Sequence, residues 1–160
     1  TVGAATAQVA NLNPKFLTVH ASGGSAMIKA AAESAPAVQI TAVTILTSLS
    51  QSDMSDIGFE GSAQSRAEEL AKLAVAAGAK AIVCSPHEIS AIRSAVPQHI
   101  MIITPGIRPK NSVASDDQKR IMDPQGAIQA GANYLVIGRP ITGAIDVAKA
   151  AKEILQESLG

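Results

Sequence analysis

The sequence predicts an α/β fold built on a parallel sheet, and three observations carry that prediction. Five short, β-branched apolar runs recur along the chain. The stretches between them return apolar residues at helical spacing. Two junctions repeat one order: "AAGAKAIVCSP" at 76–86 and "QAGANYLVIGRP" at 129–140 each pass from helix end through Gly and Ala into an apolar strand. Repeated strand–helix units imply right-handed crossovers and a parallel sheet. On this pattern alone, a (β/α)₈ barrel and an open doubly wound sheet fit equally well.

The predicted strands are "FLTVHA" (16–21), "VQITAVTIL" (38–46), "AIVCS" (81–85), "IMIITPG" (100–106) and "YLVIG" (134–138). They are apolar on both faces, as strands buried between layers tend to be. Helical periodicity falls on 25–34, 62–78, 86–95 and 123–131, and the amphipathic "DVAKAAKEILQESLG" closes the chain. The helix at 86–95 has the clearest start: Ser85 can cap it, Pro86 takes the first helical position and Glu88 completes a capping box. In both repeated junctions the glycine is placed to stop a helix in a left-handed conformation.

Composition narrows the function. Thirteen basic residues against thirteen acidic ones leave a formal net charge of zero, which argues against a general affinity for nucleic acid or anionic membrane. Two Phe, one Tyr and no Trp leave little for stacking bases. The lone Cys84 excludes an internal disulfide and fits a reducing compartment. No apolar run approaches the roughly 18 residues of a membrane span. The first residues, "TVGAATAQVA", lack the layout of a signal peptide. The expectation is a soluble, cytoplasmic protein of one domain.

Ligands in parallel α/β folds collect on the loops that leave the carboxyl ends of strands. Those loops are "HASGG" (20–24), where Gly23 and Gly24 permit close backbone approach, the hydroxyl-rich "LTSLSQSD" (46–53), the long polar "TPGIRPKNSVASDDQKR" (104–120), and "GRPIT" (138–142). Arg108 and Arg139 therefore leave consecutive strands on one face. With amides at the next helix start they would make an anion site suited to phosphate, against the plainer reading of two solvated arginines. In barrels the loops after strands seven and eight are the usual phosphate location. The stretch 106–120 is a candidate lid.

The remaining polar residues read more simply. His20 is a strand-end histidine satisfied by a backbone partner before it is a catalytic base. His87 in a first helical turn and His99 in a loop show no evident partner. Cys84 reads as a small core residue, and "DMSD" (53–56) carries two carboxylates at helical spacing that a solvated turn explains as well. No metal-ligand spacing, P-loop or G-x-G-x-x-G is present.

The stretches "FLTVHASGG", "AVTILTSLSQSDMSDIG" and "IMIITPGIRPKNSVASDDQKRIMDPQGAIQAGANYLVIGRPIT" closely resemble, in content and order, bacterial orotidine 5'-monophosphate decarboxylases. The resemblance covers essentially the whole chain. It implies a (β/α)₈ TIM barrel, a homodimer with its active site at the interface, and decarboxylation of orotidine 5'-monophosphate (OMP) to UMP without metal or organic cofactor. By the same resemblance Gly138 and Arg139 match a phosphate grip, Gln118 a phosphate ligand on the closing loop, and Arg108 the arginine of "PGIR". Thr47 and Ser50 match contacts near the pyrimidine.

One departure matters. The family's chemistry rests on a D-x-K-x-x-D motif followed closely by "PNT", and a further lysine on the strand before. Thr1 matches the threonine of that "PNT", which reaches substrate bound in the neighbouring subunit. Neither the motif nor the lysine lies in these 160 residues. A barrel takes about 250 residues, so residues 1–160 are expected to form the C-terminal portion of one, roughly five β/α units. The catalytic Lys and Asp are then expected upstream of Thr1, and the isolated chain is expected to be inactive. Two other functions remain open: a related Mg²⁺-dependent phosphosugar enzyme such as a hexulose-phosphate synthase, or a non-catalytic phosphate-ligand binder.

Overall fold

The protein is described from a computed structural model covering residues 1–109 and 121–160. In chain order it runs α1 (Val2–Ala10), β1 (Phe16–His20), α2 (Gly24–Ser34), β2 (Gln39–Val43), α3 (Gln51–Asp56), α4 (Ala63–Ala76) and β3 (Ala81–Val83). It continues with α5 (Ile89–Ala95), β4 (Met101–Thr104), α6 (Pro124–Gln129), β5 (Tyr134–Leu135), α7 (Arg139–Thr142) and α8 (Val147–Leu159). The five strands form one sheet in the order β1-β2-β3-β4-β5, every pairing parallel. A doubly wound sheet reverses its strand order at a switch point. Strictly sequential order is barrel winding, and it settles the alternative that periodicity left open.

Side-chain alternation gives the sheet two unlike faces. Leu17 and Val19 on β1, Ile40 and Ala42 on β2, Ile82, Ile102 and Leu135 point to the helical layer. There they meet Ile28 and Ala31 of α2, Ala67, Ala71 and Ala74 of α4, and Ile89 and Ile92 of α5. Burying each such isoleucine is worth about 1.5–3 kcal/mol, and the alanines let the helices lie close to the strands. The other row turns to the concave face: Phe16, Thr18, His20, Thr41, Val43, Ala81, Val83, Met101, Ile103 and Tyr134. Ala81 and Ile103 are buried there, outside the helix-facing cluster.

That concave face is curled strongly enough to bring the two edge strands together. Lys15 Nζ donates to Tyr134 Oη at 2.6 Å. The Phe16 and Tyr134 rings meet edge to face, with centroids 5.1 Å apart at 75°, and Lys15 lies 5.0 Å from the Tyr134 ring centre. Lys15, just before the first strand, and Tyr134, on the last, are 119 residues apart, so only an arc can join them.

Local signals explain most element ends. Gly78 and Gly131, the glycines of the repeated junctions, take φ of +104° and +111°, which side-chain-bearing residues rarely adopt. Glu88 accepts from the Ser85 amide at 3.1 Å, the carboxylate half of the expected capping box. Several expectations need correction. The first ten residues, for which no element was predicted, hold a helix, α1, and of the two readings of "DMSD" the helical one holds, in α3. Its Ser50 cap and buried Met54 supply the reason. The apolar runs at 38–46 and 134–138 are longer than their paired cores, because ladder pairing stops where the neighbouring strand stops. On the edge strands Thr18, His20 and Tyr134 are exposed, so not every strand is buried on both faces.

Tyr134→Ala removes both ring contact and hydrogen bond and is expected to lower stability by about 2 kcal/mol, whereas Tyr134→Phe should cost about 0.5 kcal/mol. Urea denaturation checks both. Equal stability of Tyr134→Ala and the parent would show that the cross-sheet contact holds nothing.

Candidate functional site

Because all strands run the same way, every strand's carboxyl end opens on one mouth. At the end of β2 the chain turns tightly, with the Leu49 amide donating to the Leu46 carbonyl at 3.1 Å. That turn holds Thr47 at 8 % exposure, and its hydroxyl has no protein partner among the described residues. Ser50, three residues on, is already engaged. It caps α3, and its Oγ donates to Asp53 Oδ2 at 2.5 Å and also lies 2.8 Å from Ser52 Oγ.

At the end of β4 the chain is clamped. Ile107 and Met122 form a parallel bridge, the Arg108 amide donates to the Met122 carbonyl at 2.9 Å, and the Met122 amide to Gly106 at 3.2 Å. The two stems of the long loop are thus tied together, with Arg108 at the tie. Its Nη1 donates to the Ile107 carbonyl at 2.8 Å, which steers the half-buried guanidinium. Gln118 and most of the candidate lid 106–120 lie outside the described residues.

At the end of β5, Gly138 and Arg139 lead into α7, a helix of 4 residues. The amides of Ile141 and Thr142 close back on the Gly138 carbonyl at 2.8 and 3.0 Å, and Pro140 has no N–H. The donor that this end offers an anion is therefore mainly the exposed Arg139 side chain rather than a row of helix amides. A Cβ built on Gly138 would meet nothing within 4 Å, so a ligand has room to approach the backbone there.

Thr47, Arg108, Gly138 and Arg139 are gathered by this arrangement over the ends of β2, β4 and β5. Thr1 stands apart, exposed at the start of α1. Its hydroxyl makes no cap hydrogen bond, and it lines a cavity of about 600 Å³ along the free edge of β1 with Val2, Thr18, His20 and Ser22. His87 does have a partner: its Nε2 lies 3.2 Å from the Ile121 carbonyl, joining the start of α5 to the loop's far stem. Cys84 is buried, as expected of a core residue. The loop clamp and the Lys15–Tyr134 contact escaped sequence reasoning, since neither has a local signature. Among the described residues no group of three His, Cys, Asp or Glu could hold a metal ion, and no helix is long and apolar enough to cross a membrane.

Sequential parallel winding, with arginines and a hydroxyl at the strands' carboxyl ends, is the architecture of part of a (β/α)₈ barrel. The sequence profile of the orotidine 5'-phosphate decarboxylase / HUMPS family matches residues 1–154. The chain belongs to that family. It is 48% identical over 157 residues to the orotidine 5'-phosphate decarboxylase of Thermobifida fusca, covering 98% of this chain and 67% of that protein. To the Frankia casuarinae protein of the same name it is 45% identical, covering 96% of this chain and 56% of the relative. The crystal structure of orotidine 5'-phosphate decarboxylase from Lactobacillus acidophilus superposes with a TM-score of 0.85 at 32% identity, over 99% of this chain and 70% of that one. The chain thus spans between about half and seven tenths of these proteins, and its five β/α units are the corresponding part of the barrel.

Ser50→Ala is expected to cost about 1 kcal/mol through loss of the α3 cap, read from the shift of the urea midpoint. A change below about 0.2 kcal/mol would mean that this hydroxyl is not needed by the fold.

Proposed function

We propose that this chain is the nucleotide-binding part of an orotidine 5'-monophosphate decarboxylase, which converts OMP to UMP and carbon dioxide in pyrimidine biosynthesis. The observation that carries the proposal is the family match over residues 1–154, together with Thr47, Arg108, Gly138 and Arg139 standing over one mouth. In this reading Arg139 holds the phosphate as a charge-assisted partner, with the open backbone at Gly138 letting it approach. Gln118 is a further phosphate ligand and Arg108 a further contact, as the resemblance implies. Thr47, and Ser50 so far as its cap allows, lie toward the pyrimidine. Thr1 serves the site of a second copy, which makes the working enzyme a homodimer in the cytoplasm.

Loss of carbon dioxide leaves the bonding electron pair on C6 of the pyrimidine, and a proton delivered there completes UMP. The resemblance assigns that proton to a lysine held among aspartates, in a motif that these residues do not contain. What these residues contribute is remote binding. Contacts to the phosphate, far from the bond that breaks, help close the loop and organise the reacting end, so binding energy lowers the chemical barrier. Relatives at 44–48% identity bear the decarboxylase name, which favours this reading over a Mg²⁺-dependent phosphosugar enzyme.

In the complete gene product, Arg139→Ala is expected to lower kcat/KM for OMP by two orders of magnitude or more, and a loss under twofold would sink the phosphate assignment. Gly138→Ala should leave stability within about 0.5 kcal/mol while weakening UMP binding measured by calorimetry. The 160 residues alone should release no carbon dioxide from OMP. Turnover by a fragment of verified mass would overturn the division between binding and chemistry.

A further inference from the structure

Of the three histidines, His87 is bonded to the loop stem and His99 lies before β4, at the amino end of the sheet. His20 differs from both. It ends β1, it is exposed, and its imidazole has no hydrogen-bond partner among the described residues. Among the described residues the backbone partner expected for it is not found.

Its direction follows from the strand. Phe16 faces inward, because its ring meets Tyr134 across the concave side. With a period of two, Thr18 and His20 face inward as well, while Leu17 and Val19 pack on the helical layer. Strands β1 and β5 run parallel within one sheet. Their amino ends are pinned by the ring pair at 5.1 Å. His20 stands four residues beyond Phe16, and Gly138 four beyond Tyr134. Along β1, at about 3.3 Å per residue, His20 lies roughly 13 Å from that contact, at the strand's carboxyl end. His20 at the end of β1 and the Gly138–Arg139 pair just beyond β5 therefore both stand at the mouth, on the two edge strands that the ring pair brings together.

Resting on the reading that Arg139 holds the phosphate of a nucleoside monophosphate, we infer that His20 is a recognition contact for the other end of the same ligand. A phosphate anchored on the β5 wall directs the sugar and base over the mouth toward β1. A neutral imidazole offers one donor and one acceptor, which suits ribose hydroxyls and the carbonyl and N–H edge of a pyrimidine. Thr18 and Ser22 line, with His20, the cavity that reaches Thr1 along the free edge of β1, so hydroxyls stand beside the imidazole. Since His20 is exposed at a strand end, its replacement leaves the core untouched.

The test uses the complete gene product with UMP and inorganic phosphate as probes. His20→Ala is expected to weaken UMP binding about tenfold, the scale of one hydrogen bond, while changing phosphate binding less than twofold. His20→Gln, which keeps a donor and an acceptor, should recover part of the loss. Among the imidazoles of His20, His87 and His99 followed by NMR, that of His20 should shift most on addition of UMP. UMP affinity within twofold of the parent, or equal loss for UMP and phosphate, overturns the inference. If UMP binding depends on Arg139 but not on His20, only this inference fails. If the parent protein binds no UMP at all, the proposed function fails with it.

Discussion

Parallel pairing in chain order, from β1 through β5, sends every strand's carboxyl end in the same direction and stacks the crossover helices on one side. From that single constraint follow a dry, helix-covered convex face and a concave face whose side chains converge. The ladder also curls, and the contact among Lys15, Phe16 and Tyr134 closes the amino end of the arc. A floor at one end and diverging loops at the other turn a sheet into a cup with one opening.

The site inherits its geometry from that cup. Arg108, Thr47 and the Gly138–Arg139 pair are distant in sequence, and each hangs on a loop of different construction. Thr47 sits in a tight turn, Arg108 on a bridged loop stem, and Arg139 on a short helical turn. What they share is the end of a strand. Rigid strands place them, and irregular loops leave side chains such as that of Thr47 free of structural duties. Ser50 shows the opposite case, since its hydroxyl is spent on capping α3. A residue that fits a binding motif by position can thus be partly committed to holding its own loop.

Much of this was legible in the residues themselves. The five strands announced themselves through β-branched runs, and Gly78 and Gly131 marked helix ends that the structure repeats with positive φ. Arg108 and Arg139 were found by position alone, because strand carboxyl ends are where parallel folds keep their ligands. Three short helices were not found. α1 is dominated by Ala, Val and Gly with little polar contrast, while α3 and α7 span only 6 and 4 residues, too few for a periodic signal. The parallel bridge between Ile107 and Met122 and the partner of His87 were equally hidden, since both join segments across the long loop.

The sequence by itself determined the fold class, the order of the elements and the membership of a decarboxylase family, because periodicity, turn residues and long motifs are all local properties read along one strand or helix at a time. Only the tertiary structure decided that the sheet winds in one direction rather than doubling back, that Lys15 reaches Tyr134 across 119 residues, and that the His20 imidazole is left without a hydrogen-bond partner among the described residues. Those are facts of curvature. A chain records which residues face inward on each strand, but which inward residues confront one another depends on how far the whole sheet bends.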